Sequence, residues 1–245
     1  MKSFWWFEKD KIAGMARPGF NSCRWFDLPF DEAILMGWLG QHSSGPIHLK
    51  SFWEHVHIYV PKAAPFYKIT DEQREKIVEG FHQIDNLKSI LDRLVERTRF
   101  LESATLTDHV LDFKIHKSQL ESEIEHLKQV GIQRLVTLTE SHHLKEELKQ
   151  HFSVHHIGIV DMGAPTLDQA QELSKILDLA EKNQEKTAVH CLAGIGRTST
   201  MIMAAEILRG KKLPQLLETV TRQNPSYVFT GAQANFLRGI AESQE

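Results

Sequence analysis

One stretch of the sequence combines a nucleophile with groups that bind anions. It runs from His190 to Thr200 and reads His-Cys-Leu-Ala-Gly-Ile-Gly-Arg-Thr-Ser-Thr. Two of the five residues between Cys191 and Arg197 are glycines, so this loop can curl until successive backbone N–H groups point inward as an anion nest. The planar guanidinium of Arg197 can bind two oxygens of a phosphate. These types and this spacing indicate a thiolate that attacks a bound phosphoryl group.

The elements on either side of this loop favour the same chemistry. An apolar strand is predicted over 187–190, and a helix is predicted to begin just past Gly196. The loop therefore lies at the carboxyl end of a strand, where open α/β sheets place their ligand sites. The helix N-terminus and Arg197 provide positive surroundings that stabilise a thiolate. We expect Cys191 to be a nucleophile at neutral pH, and we expect the Thr198 hydroxyl to hydrogen-bond its sulfur.

The stretch resembles the signature of the cysteine-based protein tyrosine phosphatase superfamily, which is His-Cys, five residues, Arg, and then Ser or Thr. Within it, Ala-Gly-x-Gly-Arg-Thr is most similar to the small atypical dual-specificity phosphatases. The resemblance implies a cysteinyl-phosphate intermediate and no cofactor. It implies Cys191, Arg197 and Thr198 as catalytic residues and His190 as a supporting residue. The phosphate-binding positions that it implies are Leu192, Ala193, Gly194, Ile195, Gly196 and Arg197.

A general acid must supply a proton to the leaving oxygen on such a route. The resemblance places an Asp on a loop about thirty residues before the cysteine, and Asp161 fits that position at the end of a predicted strand. The competitor is Asp168. It follows Thr166 in a predicted capping box with Gln169, where an acid in the first helical turn complements the helix dipole. We favour Asp161 as the acid and then as the base that activates water.

Gln233 is a further candidate that comes from the resemblance. The segment from Asn224 to Gln233 resembles a family segment in which a Gln follows a Pro by eight residues, and such a Gln can position the hydrolytic water. The family usually has Arg before that Pro, whereas this chain has Asn224. A surface Gln on the last helix is the alternative interpretation.

The order of the predicted elements indicates the fold class. Strands alternate with helices in the second half of the chain, which predicts an α/β fold with a central, mostly parallel twisted sheet flanked by helices. The predicted strands are 134–139, 154–160 and 187–190, and the predicted helices are 120–130, 166–183, 197–210, 213–222 and 231–241. A strand, a turn and a second strand are predicted over 4–16.

The family resemblance covers about 4–19 and 117–243, so we predict one phosphatase-like domain over 1–245 with a largely helical insertion at 20–115. Within the insertion the patterns predict a helix over 30–39, a strand over 56–60 that ends at Pro61, and a strand over 108–114. A capping box of Thr70 and Gln73 predicts a long amphipathic helix that runs to about Phe100.

Composition excludes several classes of protein. The net charge is −3 and the sequence pI is about 6.5, so no basic field indicates nucleic acid. No apolar run has the length of a membrane span, and the N-terminus does not resemble a signal peptide. The two cysteines, Cys23 and Cys191, do not form a disulfide framework. We therefore predict a cytoplasmic protein in which Cys23 is a packed thiol.

Paired histidines raise the question of a metal. They are His142-His143 and His155-His156. Neighbouring residues on a strand point to opposite faces, so neither pair makes a natural chelate. We predict no metal site.

These features lead to one function and two alternatives. We expect a hydrolase that removes phosphate from phosphotyrosine in proteins, with phosphoserine and phosphothreonine left open. A phosphatase of lipid or inositol phosphates is the first alternative, although the loop carries Leu192, Ala193 and Ile195 where such enzymes often have Lys. A pseudophosphatase that binds a phosphorylated partner is the second.

Overall fold

The computed structural model describes residues 1–21, 24–42, 44–98, 100–142 and 144–244. The chain divides into two compact units. The first unit comprises residues 1–21 and 122–245, and the second unit comprises residues 22–121. The first unit contains the Cys191 loop.

The described residues form eight strands and ten α-helices. The strands are β1 (Trp5–Glu8), β2 (Ile12–Met15), β3 (Gly45–His48), β4 (Leu101–Leu106), β5 (Val110–Ile115), β6 (Ile132–Thr137), β7 (Ser153–His156) and β8 (Lys186–His190). The α-helices are α1 (Phe30–Leu39), α2 (Leu49–Ala63), α3 (Asp71–Phe81), α4 (Ile84–Thr98), α5 (Lys117–Gln129), α6 (Lys145–Lys149), α7 (Leu167–Lys182), α8 (Gly196–Leu208), α9 (Leu213–Gln223) and α10 (Gly231–Glu242).

The first unit is built on a five-stranded sheet with the order β1-β2-β8-β6-β7. β1 pairs antiparallel with β2, while the other neighbours are parallel. Helix α8 is the next element after the central strand β8, and its residues from Arg197 to Ile207 are all buried. This arrangement confirms the predicted α/β fold with a mostly parallel sheet, and it fixes the loop between β8 and α8 from both ends.

The second unit combines helices with a small antiparallel sheet of order β3-β5-β4. Two ion pairs connect its helices α1 and α4. The fully buried carboxylate of Glu32 on α1 pairs with Arg93 at 3.1 Å and with Arg97 at 3.0 Å, both on α4. That this unit is an insertion into a phosphatase domain stays a prediction.

Two local predictions in the second unit are wrong. Residues 56–60 are not a strand but part of α2, because Leu49, Phe52, Val56 and Val60 are buried at helical spacing. Pro61 lies in the last turn of the same helix. The predicted long helix after Thr70 is two helices, α3 and α4.

Other local predictions are confirmed. Thr70 and Gln73 form a capping box with both hydrogen bonds present. Helix α1 spans the predicted residues 30–39, and Thr166 caps α7 as expected.

Candidate active site

The loop from Cys191 to Ile195 is anchored to elements on both sides. The Leu192 carbonyl accepts a hydrogen bond from the Arg17 N–H at 3.0 Å, and the Gly194 carbonyl accepts one from Asn224 Nδ2 at 3.3 Å. In a trans peptide the N–H points away from the carbonyl of the same unit. The N–H groups of Ala193 and Ile195, which belong to these two peptide units, therefore point away from Arg17 and Asn224. That these N–H groups form an anion nest stays a prediction.

Gly194 is required by the backbone. Its φ is +73°, and a Cβ at this position would lie 2.4 Å from the carbonyl carbon of Met15 and 2.5 Å from the nitrogen of Ala16. Any side chain would push the loop away from the end of β2. The close approach explains why one of the two loop glycines is present.

Cys191 is the first residue of this loop and is 3% exposed. Its backbone N–H donates to Oγ1 of Thr198 at 2.9 Å. The hydroxyl therefore stabilises the start of the loop through the backbone. The expected bond from Thr198 to the sulfur stays a prediction.

Arg197 and Asp161 meet at the same place. Nη2 of Arg197 lies 2.7 Å from Oδ1 of Asp161, and Nη1 donates to the Ile159 carbonyl at 2.9 Å. The arginine side chain is 5% exposed and that of Asp161 is 22% exposed. The proposed phosphate ligand and the proposed acid are thus in one ion pair. Asp168, the competitor, is exposed in the first turn of α7.

Asp161 belongs to a segment that we call the acid loop, residues 158–166. The backbone N–H of Asp161 donates to Oε1 of Glu140 at 2.8 Å, and the N–H of Met162 donates to Oδ1 of Asp161 at 3.0 Å. Met162 has a positive φ of 59°. These bonds fix the direction in which the carboxylate points.

Gln233 is 1% exposed, so its interpretation as a surface residue is wrong. It forms a capping box with Thr230 at the start of α10, and its Nε2 donates to the Gly163 carbonyl at 2.9 Å. A Cβ on Gly196 would lie 3.1 Å from Oε1 of Gln233. Gln233 therefore touches both the acid loop and the start of α8. Its expected role toward water stays a prediction.

Asn224 is a supporting residue that the sequence analysis did not select. Besides the Gly194 carbonyl, its Nδ2 contacts Oγ of Ser199 at 3.4 Å. It is 9% exposed. The available signal was a polar residue directly before Pro225 in the segment that resembles the family, where Arg is usual.

His190 is buried at the end of β8, directly before Cys191. Its Nε2 lies 2.9 Å from Oγ1 of Thr137, and its Nδ1 lies 3.3 Å from the Cys191 carbonyl. A carbonyl can only accept, so Nδ1 carries the proton of the neutral ring. Burial lowers the pKa of His190 to about 3. Its role is to hold the backbone of Cys191 as a neutral hydrogen-bonding group.

This buried histidine predicts a pH dependence of stability. The unfolded chain binds a proton at His190 below pH 6.5, whereas the folded chain resists protonation until about pH 3. Stability therefore falls as pH decreases from 6.5 toward 3. The free energy of unfolding, measured with urea, should fall between pH 7 and pH 5. We expect this fall to be smaller by about 2 kcal/mol in His190→Asn than in the wild type.

The matched control for this prediction is His151→Asn, which changes an exposed histidine of the first unit. It should keep the wild-type difference between the two pH values. An equal loss in His190→Asn and the wild type would contradict a neutral His190.

The described members of the two histidine pairs, His142, His155 and His156, contact protein groups. His155 lies 2.8 Å from Nη1 of Arg134, and Nε2 of His156 bonds the Thr139 carbonyl at 2.7 Å. Burial lowers the pKa of His142 to about 4, and the nearby ring of His156 acts in the same direction. Among the described residues, no group of three or more His, Cys, Asp or Glu side chains could hold a metal. His143 and Cys23 lie outside the described residues, and the absence of a metal stays a prediction.

One further property concerns the whole described chain. None of its helices combines the length and the apolar character that crossing a membrane requires.

Comparison with known families gives one match by a family model. Residues 113–211 match the family described as "Polymorphic toxin system, DSP-PTPase phosphatase". The matched segment includes the whole Cys191 loop and Asp161.

Curated relatives match a similar part of the chain. Cyclin-dependent kinase inhibitor 3 of Sus scrofa is 29% identical over 105 residues, which are 39% of this chain and 49% of that protein. The protein of the same name from Mus musculus is 30% identical over 95 residues, 35% of this chain and 45% of that protein. The chain thus spans about half the length of these relatives.

Solved structures match about half of this chain. Tk-PTP in its active form is 28% identical, with a TM-score of 0.45 over 50% of this chain and 86% of that one. PTPMT1 in complex with PI(5)P is 18% identical, with a TM-score of 0.46 over 51% and 86%.

Proposed function

We propose that this chain, which belongs to the protein tyrosine phosphatase superfamily through a dual-specificity-type phosphatase domain, hydrolyses phosphate monoesters through a cysteinyl-phosphate intermediate. The observation that carries the proposal is the convergence of three groups on one loop. The Cys191 thiol lies at the start of the loop, Arg197 closes it, and Asp161 pairs with Arg197 at 2.7 Å.

In the first step the thiolate of Cys191 attacks phosphorus while the bond from phosphorus to the ester oxygen breaks. Loop N–H groups and the Arg197 guanidinium bind the phosphoryl oxygens as charge develops on them. Arg197 must exchange its Asp161 partner for a phosphate oxygen. The protonated carboxyl of Asp161 then gives its proton to the leaving oxygen, so that a neutral alcohol or phenol departs.

In the second step water attacks the phosphocysteine. Asp161, now a carboxylate, accepts a proton from that water, and the thiolate of Cys191 leaves as inorganic phosphate forms. Thr198 would stabilise the departing sulfur through its hydroxyl.

The substrate that we propose is phosphotyrosine in a protein, with phosphoserine and phosphothreonine left open. The loop side chains Leu192, Ala193 and Ile195 are apolar and add no cation for a second phosphate, which favours a monophosphorylated group over an inositol polyphosphate. The partner that we propose is a phosphorylated protein in the cytoplasm. A lipid or inositol phosphatase remains the second candidate and a pseudophosphatase the third.

A trapping experiment tests this function. The protein is mixed with an aryl phosphate that carries radioactive phosphorus, quenched within one turnover in an alkaline denaturant, in which an S–P bond survives, and digested. We expect aryl alcohol release together with a label on the peptide that contains Cys191. Turnover without a label at Cys191 would contradict the covalent route, and the absence of turnover would favour a phosphate-binding pseudophosphatase.

A further inference from the structure

Two glutamines hold the acid loop from its two ends. Both occupy the same position, the third residue of a helix that begins with a capping box. Nε2 of Gln169 donates to the Gly158 carbonyl at 2.7 Å, and Nε2 of Gln233 donates to the Gly163 carbonyl at 2.9 Å. Asp161 lies between the two anchored residues. The loop is thus bracketed by amide groups of α7 and α10.

Each of these side chains uses both ends of its amide. Oε1 of Gln169 accepts from the Thr166 N–H at 2.8 Å, and Oε1 of Gln233 accepts from the Thr230 N–H at 3.1 Å. The helix cap therefore fixes the amide plane, and the fixed plane aims the N–H donor at the loop. A donor held in this way costs little further entropy when it binds.

The third capping box among the described helices shows that a glutamine can cap a helix without also holding the acid loop. Gln73 at the start of α3 accepts from the Thr70 N–H at 2.9 Å in the same manner, but it is exposed and lies in the second unit. Replacement of Gln73 therefore serves as a control, because it removes the capping bond of a glutamine without removing a bond to the acid loop.

We propose that Gln169 and Gln233 are positioning residues that keep the acid loop where Asp161 faces the phosphate site. This inference rests on the proposed function. It assigns Gln233 a role that differs from positioning water, since its Nε2 binds the loop that carries the acid. In this proposal both glutamines act through Asp161 as positioning residues.

The test measures phenol release in a single turnover from two aryl phosphates, one with an activated and one with an unactivated leaving group. The variants are Gln169→Met and Gln233→Met, which keep side-chain length and remove the amide. A small displacement of a catalytic group can cost up to about 100-fold. We expect a 10- to 100-fold loss with the unactivated substrate and less than 3-fold with the activated one. Gln73→Met should leave both rates unchanged.

The possible outcomes separate the roles. If Gln233→Met slows only breakdown of the phosphocysteine and leaves phenol release at the wild-type rate, Gln233 serves the water and the proposal is overturned for it. If both variants lose equally with both leaving groups, the glutamines act on general stability and the proposal is also overturned. Should one variant fail to fold, the other still decides. Failure of the proposed function would instead appear in the wild type, as an absence of turnover or of the Cys191 label.

Discussion

Cys191→Ser should abolish hydrolysis of an aryl phosphate, with a loss of about 10⁴- to 10⁶-fold, the scale on which hydrolases lose activity without their nucleophile. The serine hydroxyl is not ionised at neutral pH, whereas the reactive form of a cysteine is the thiolate. The replacement should leave the loop intact, because the contact with Thr198 is made by the backbone N–H of residue 191. Steady-state hydrolysis by purified protein is the measurement.

The control for this variant is binding of an unreactive oxyanion. Cys191→Ser should bind tungstate with an affinity close to that of the wild type, because the N–H groups of the loop and Arg197 remain. Loss of both hydrolysis and tungstate binding would indicate a collapsed loop. Retention of substantial hydrolysis would exclude Cys191 as the nucleophile.

Asp161→Asn should slow hydrolysis by about 100- to 10,000-fold for an unactivated leaving group, the usual contribution of a general acid. An electron-poor phenol leaves without a proton, so its phosphate ester should lose far less. The asparagine keeps an oxygen that can accept from the Met162 N–H. The measurement is the dependence of kcat/KM on the leaving group.

Asp168→Asn is the matched control, since it removes an exposed carboxylate from the next helix without touching Arg197. It should retain the wild-type dependence on the leaving group. An equal loss by Asp161→Asn with every leaving group would contradict its role as an acid. If Asp168→Asn instead shows the loss that depends on the leaving group, Asp168 is the general acid.

The strand, loop and helix that carry Cys191 could be predicted from the sequence because the pattern is local. Cys191, Arg197 and Thr198 lie within eight consecutive residues, and the strand and helix beside them have clear apolar patterns. The capping box at Thr166 is equally local and was predicted with its partner. The box of Thr230 and Gln233 follows the same spacing, and that pattern was an available signal for the buried position of Gln233.

The contacts between distant segments could not be predicted in this way. The bond from Gln233 to Gly163 joins residues that are 70 positions apart, and no periodicity encodes it. Asp161 was selected through a family resemblance. Its ion pair with Arg197 depends on the path that the acid loop takes after β7, which no local pattern predicts. In the second unit, Val56 and Val60 are of a residue type that favours strands. They lie in a helix because the buried residues of this segment recur at helical spacing.

The carboxylate of Glu123 has a consequence for how this chain could have arisen. It accepts from the Gly19 N–H at 2.7 Å and from the Asn21 N–H at 3.1 Å, so the points where the chain leaves and re-enters the first unit lie side by side. The entropy of closing a loop between two such points grows only with the logarithm of its length. By this argument a folded module can be inserted between these two points at a small cost in stability, as the prediction that the second unit is an insertion requires.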